Sequence, residues 1–67
     1  MDKKEQLKEY IIQDLIEFII EDDCISIEEA MNKLYRSKTF ELLQDNDTGL
    51  YLQGSSYVYE LYKEEKK

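Results

Sequence analysis

The run Leu7-Lys8-Glu9-Tyr10-Ile11-Ile12-Gln13-Asp14-Leu15-Ile16-Glu17-Phe18-Ile19-Ile20 decides how the rest of the chain is read. Residues placed at 100° intervals put Leu7, Ile11, Ile12, Leu15, Ile16, Phe18 and Ile19 on one continuous arc, with Glu9, Gln13, Asp14, Glu17 and Glu21 opposite. That spacing predicts a helix. Its apolar arc covers roughly half the circumference, against the stripe of about 100° that a one-sided surface helix needs. Tyr10 and Ile20 fall apart from the arc, within or beside the polar face. Two readings stay open: later helices wrap this one on two sides, or part of the excess meets a second copy or another protein. A wide apolar face on a small chain is costly to leave in water.

Upstream, residues 1 to 5 form a charged lead-in without an apolar anchor and are expected to fray or to add a loose first turn. Downstream, Glu21, Asp22 and Asp23 oppose the helix macrodipole, so the helix should stop there. Cys24 and Ile25 make a short connector. Ser26-Ile27-Glu28-Glu29 then has the capping-box pattern, in which the serine hydroxyl and the glutamate side chain satisfy each other's free backbone donors. The second helix carries a narrow stripe of Ile27, Ala30, Met31 and Leu34 and should run to about Tyr35 or Arg36. A polar break at residues 36 to 39 offers Ser37 or Thr39 as the cap of a short third helix through Phe40, Leu42 and Leu43. Asp45-Asn46-Asp47-Thr48-Gly49 is a reversal, since Asn, Asp and Gly tolerate left-handed backbone.

The last third admits two forms. Residues 50 to 62 are rich in tyrosine and could pair as a β-hairpin. Alternatively an extended linker leads into a helix capped by Ser55 or Ser56, with Tyr57 or Val58, Leu61 and Tyr62 on its inner face. The helix is preferred because the segment runs into Lys63-Glu64-Glu65-Lys66-Lys67, whose terminal lysines suit a helix C-terminus. The expected architecture is all-α, one domain over residues 1 to 67, a bundle of three or four short helices with 1 to 5 and 64 to 67 frayed; the alternative is α+β with a hairpin at 50 to 62.

Size and charge narrow the function. A chain of 67 residues buries only about 60% of its unfolded surface, and small domains offset that with disulfides, a metal or oligomerisation. Cys24 is the sole cysteine and histidine is absent, so oligomerisation is left as the remedy to weigh. A lone cysteine and no signal peptide suit a reducing compartment, so a cytoplasmic location is expected. No apolar run reaches the roughly 20 residues of a bilayer span. The formal charge of −7 disfavours direct nucleic-acid binding, which depends on lysine and arginine, and favours a basic partner.

Catalytic and metal chemistry find little support. Without histidine there is no conventional nucleophile and base pair, and Asp22 and Asp23 beside Cys24 would blunt a thiol. The carboxylates of the first helix recur on its solvated face. Asp45-x-Asp47-x-Gly49 lacks the register of a calcium loop, with Gly49 at the fifth position and Ser56 at the twelfth, and reads as an acidic turn. No cofactor is expected. Six tyrosines are the unusual feature; they serve either the outer core or a contact surface, since tyrosine is enriched at interfaces. The candidate interface residues are Tyr10, Ile16, Ile20, Tyr51 and Tyr59.

The segment Leu50-x-x-Gln53-Gly54-x-x-Tyr57-x-x-Glu60, following a Ser-capped second helix, resembles a family of short uncharacterised bacterial proteins classed as a domain of unknown function. The likeness covers most of residues 10 to 65. Tyr51, where the family often has histidine, and the Asn46-Asp47 turn depart from its pattern. The resemblance implies a helical fold and an accessory or antitoxin-like binding role beside ADP-ribosyltransferase-like toxins, with no catalytic residue. The expected function is a non-enzymatic protein-interaction module that forms a homodimer or binds another protein. The alternative is an acidic nucleic-acid mimic that regulates a DNA-binding protein.

Overall fold

The computed structural model describes residues 3 to 66. They form four α-helices and two single-turn 3-10 segments, with no strand among them: α1 Lys3–Asp23, α2 Ile27–Tyr35, α3 Lys38–Gln44, the 3-10 turns Asn46–Thr48 and Leu50–Leu52, and α4 Ser55–Glu65. At 1.5 Å per residue the 21 residues of α1 rise about 32 Å, matching the longest dimension of the molecule, 32 Å. This helix is the spine. Its inner face of Ile11, Leu15, Ile16 and Ile19 meets Ala30 and Leu34 of α2, Leu43 of α3, Leu50 and Tyr51 of the second 3-10 turn, and Val58 and Tyr62 of α4 in one core.

Local chemistry explains each boundary. Cys24 ends α1 in the left-handed region at φ 53°, its N–H donating to the Ile20 carbonyl at 2.9 Å, an arrangement usually reserved for glycine. Ser26 then accepts from the Glu29 N–H at 3.2 Å, the serine half of the expected capping box. Buried Ser37 joins α2 to α3 with one hydroxyl: it donates to the Leu34 carbonyl at 2.6 Å and accepts from the Phe40 N–H at 3.1 Å. In the reversal, Asp45 accepts from the Asp47 N–H at 2.9 Å, and the Thr48 hydroxyl donates to the Leu42 and Asp45 carbonyls before Gly49 turns at φ 64°.

The hairpin alternative at 50 to 62 is not what the chain adopts. Gly54, at φ 90° and ψ 163°, takes a backbone shape closed to other residues and breaks any strand there. Beyond it, helical spacing buries Val58 and Tyr62 together and leaves Tyr57 outside; alternation would have grouped Tyr57 with Tyr59. Neither Ser55 nor Ser56 caps α4, because Gly54 holds the cap position. As the first helical residue, Ser55 instead donates its hydroxyl to Asp14, and Tyr59 packs its ring 5.0 Å from Phe18, so α4 runs beside α1 in the same direction.

Lys3 to Glu5 continue α1, while Met1, Asp2 and Lys67 lie outside the described residues. Glu65 reaches from the last turn of α4 to the start of α3. One of its carboxylate oxygens accepts from the Lys38 N–H at 2.8 Å; the other accepts from the Thr39 N–H at 2.9 Å and the Thr39 hydroxyl at 2.8 Å. An anion from α4 thereby caps the positive end of α3. At the opposite end of the same helix, buried Lys8 reaches from α1 and donates to the Gln44 carbonyl at 3.1 Å and to Asn46 Oδ1 at 2.6 Å. Glu5 stands 3.7 Å from its ammonium, and the Tyr51 ring lies beneath it at 5.6 Å. Each end of α3 is held by the sign of charge its dipole prefers.

Candidate functional site

The interface residues read from the sequence do not come together. Ile16 and Tyr51 belong to the monomer's own core, with 9% and 8% exposure, so most of the apolar surface they would offer a partner is already used. Ile20 is half-buried against the same core. Tyr59 is half-buried too, with its hydroxyl donating to Asp22 and its ring stacked on Tyr62 at 5.9 Å. Tyr10 alone among the five is well exposed, at 56%, its hydroxyl 3.4 Å from Gln6.

A different face is open. On α2, Ala30 and Leu34 are completely buried, and the row Ile27, Met31 and Tyr35 is rotated by about 100° from them, with its two ends in solvent and Met31 packed partly against the core. Ile27 is 58% exposed and Tyr35 46%, with Met31 half-buried between them. Side chains four apart stack along a helix, so the three form one ridge. Phe40 of α3 extends it, its ring 4.9 Å from that of Tyr35. Glu28 and Asn32 border a shallow cleft of about 240 Å³ beside Met31 and Tyr35. Glu28 lies at one end of the ridge and Arg36 at the other, and among the described residues neither side chain has an ion pair or hydrogen bond. The sequence places Ile27, Ala30, Met31 and Leu34 in one narrow stripe. The 27, 31, 35 spacing was the available signal that the stripe is two rows.

A second concavity, of about 310 Å³, opens between the end of α1, α2 and α4, walled by Asp22, Asp23, Lys33, Tyr59, Tyr62 and the lysines of α4. Its charges are matched internally. Lys33 pairs with Asp23 at 3.2 Å and Lys63 with Glu60 at 3.1 Å, while Lys63 and Lys66 lie over the Tyr59 and Tyr62 rings at 5.1 and 5.2 Å. Burial, the hydrogen bond to Asp22, and the charges of Asp22 and Asp23 push the Tyr59 hydroxyl far above its ordinary value. Burial followed by the charges of Asp23 and Glu65 raises Tyr62 in the same direction, and the Tyr62 hydroxyl is enclosed without a hydrogen-bond partner. Phenols shifted this way hold their protons and are poor bases or nucleophiles at neutral pH. Among the described residues no group of three or more Cys, Asp or Glu converges to hold a metal ion, and no helix is long and apolar enough to cross a membrane.

Comparison of the chain with family models, with curated proteins and with solved structures returns no match. The α2 ridge is therefore judged on its own chemistry: an apolar row, weakly charged, on an otherwise acidic surface.

Proposed function

We propose that the protein is a non-enzymatic interaction module that associates with a second copy of itself. The ridge of Ile27, Met31 and Tyr35 carries this reading, because Ile27 and Tyr35 leave apolar surface in water that a second copy would cover. Charge supports a second copy over a basic partner. Glu28 and Arg36 leave the ridge without net charge, so the formal −7 of the whole chain supplies no special attraction there. The nine residues of α2 rise about 13 Å and, at a helix width of about 10 to 12 Å, present a face of roughly 150 Å², far short of the roughly 800 Å² per partner of a standard interface, so the association is weak, micromolar or weaker. Size-exclusion chromatography with light scattering, run from low micromolar to millimolar protein, should show mass rising toward a dimer. A strict monomer across that range refutes the reading.

A second reading draws on another surface. Glu9, Asp14, Glu17 and Glu21 are all exposed along the outer side of α1, an arrangement suited to a basic surface that otherwise holds nucleic acid. It requires that a basic DNA-binding protein retain this chain in competition with duplex DNA. Loss of that retention on replacing Glu9, Glu17 and Glu21 by glutamine would assign it to α1.

A further inference from the structure

We infer that the two copies pair through α2 as an antiparallel, two-fold contact centred on Met31, with Glu28 of each copy beside Arg36 of the other. This rests on the self-association proposed above. The ridge has a symmetric spacing, with Ile27 and Tyr35 each four residues from Met31. A two-fold axis at Met31 sets methionine against methionine and the small Ile27 against the large Tyr35 at both ends, the self-complementarity that a two-fold contact requires. The charges choose the direction. In a parallel pair, Glu28 would face Glu28 and Arg36 would face Arg36. Antiparallel pairing instead brings each unpartnered carboxylate to an unpartnered guanidinium and opposes the helix dipoles favourably. No pairing within one chain satisfies the two, since they stand at opposite ends of one helix.

Charge exchange tests this without touching the core. Glu28→Arg alone and Arg36→Glu alone each turn two attractive contacts into repulsive ones and should weaken dimerisation about threefold to tenfold, the range for partly exposed pairs. The double variant restores opposite charges across the axis and should return to within about twofold of the original dissociation constant. Cross-linking gives an independent reading. Helix axes about 8 to 10 Å apart with facing residues place the two position-31 Cα atoms within about 5 Å, inside disulfide range. Met31→Cys in a Cys24→Gly background should therefore form a dimeric disulfide under mild oxidation. Native Cys24, at the end of α1 and outside α2, lies off the contact and should not. A dimer indifferent to both single reversals, or one that links through Cys24 and not position 31, overturns this geometry and leaves self-association standing. A monomer at millimolar concentration overturns both.

Discussion

Replacing Glu65 by alanine should cost far more than its place in the last turn of a lysine- and glutamate-rich tail suggests. Its carboxylate accepts three hydrogen bonds at 2.8 to 2.9 Å from Lys38 and Thr39. A hydrogen bond to a charged group contributes about 1.5 to 3 kcal/mol when buried. Thr39 is only 2% exposed with the carboxylate in place, so its N–H and hydroxyl exchange a charged partner for water when Glu65 is truncated. Lys38 is exposed, and its N–H is worth no more than an ordinary surface cap, about 0.5 to 1 kcal/mol. Solvent screening at the exposed Glu65 reduces the sum, giving about 2 to 3 kcal/mol. For a domain of this size that lowers Tm by about 10 to 20 °C. The pH dependence has a definite sign. Partial burial opposes ionisation, but the bonds from Lys38 and Thr39, with Lys66 nearby, outweigh it and hold the carboxyl below 4.5. The unfolded chain therefore binds the proton first as pH falls, and the contribution, complete above the ordinary carboxyl range, disappears as pH drops through the lowered value. Urea denaturation followed by far-UV circular dichroism at neutral pH and near pH 3 measures both effects. A loss under about 0.5 kcal/mol at neutral pH, or an equal loss at both, refutes the cap.

Three further outcomes follow from the same geometry. Cys24→Gly should raise stability by a few tenths to about 1 kcal/mol, because relief of the left-handed φ of 53° exceeds glycine's greater freedom in the unfolded chain; a lower Tm would show that the exposed thiol contributes to packing. Lys8→Ala should cost about 2 to 4 kcal/mol, since it opens a cavity where the buried stem lies and removes the bonds to the Gln44 carbonyl and Asn46, whereas Lys8→Met keeps the stem, loses only those bonds and should cost about 1 to 2 kcal/mol; equal losses would place the whole effect in the ammonium. Tyr59→Phe should flatten the alkaline limb of the stability curve: a phenol raised from 10.0 contributes fully below pH 10 and progressively less as pH climbs toward the folded value. Identical alkaline unfolding of the two proteins would count against the Asp22 contact.

Features set by neighbours in the chain were the legible ones. Helical periodicity from Leu7 to Ile20, the Ser26 cap, the polar break at Ser37 and the Asp45 to Gly49 reversal each depend on residues within a turn of one another. The C-terminal helix was legible from its lysine-ended tail, but its cap was not. Ser55 lies where a capping serine is expected, and only the distant Asp14 draws its hydroxyl away. Breadth of the apolar arc on α1 gave a misleading cue about the site. Ile16 was assigned to a partner because no local feature shows how much of α1 the short helices cover, and Tyr51 because the ring's seat beneath Lys8 is set 43 residues upstream. On α2 the signal was present, since residues 27, 31 and 35 share a row offset from 30 and 34.

The missing staple is the deeper difference. With one cysteine and no histidine, the sequence left oligomerisation as the remedy for a thin core. The folded chain supplies another. Seven residues are too few for a helix to stand alone in water, yet α3 is held by Glu65 at its N-terminus and Lys8 at its C-terminus, from helices 26 and 36 residues away in sequence. Those two contacts tie both ends of the chain to its middle and close the core over Leu43 without a covalent bond. Folding is thereby separated from pairing. A dimer built on the α2 ridge is free to be weak and reversible, since the clamp on α3 lies elsewhere. Glu28→Arg should therefore reduce association while leaving the monomer's Tm within a few degrees of the original, whereas Glu65→Ala should lower Tm at every protein concentration.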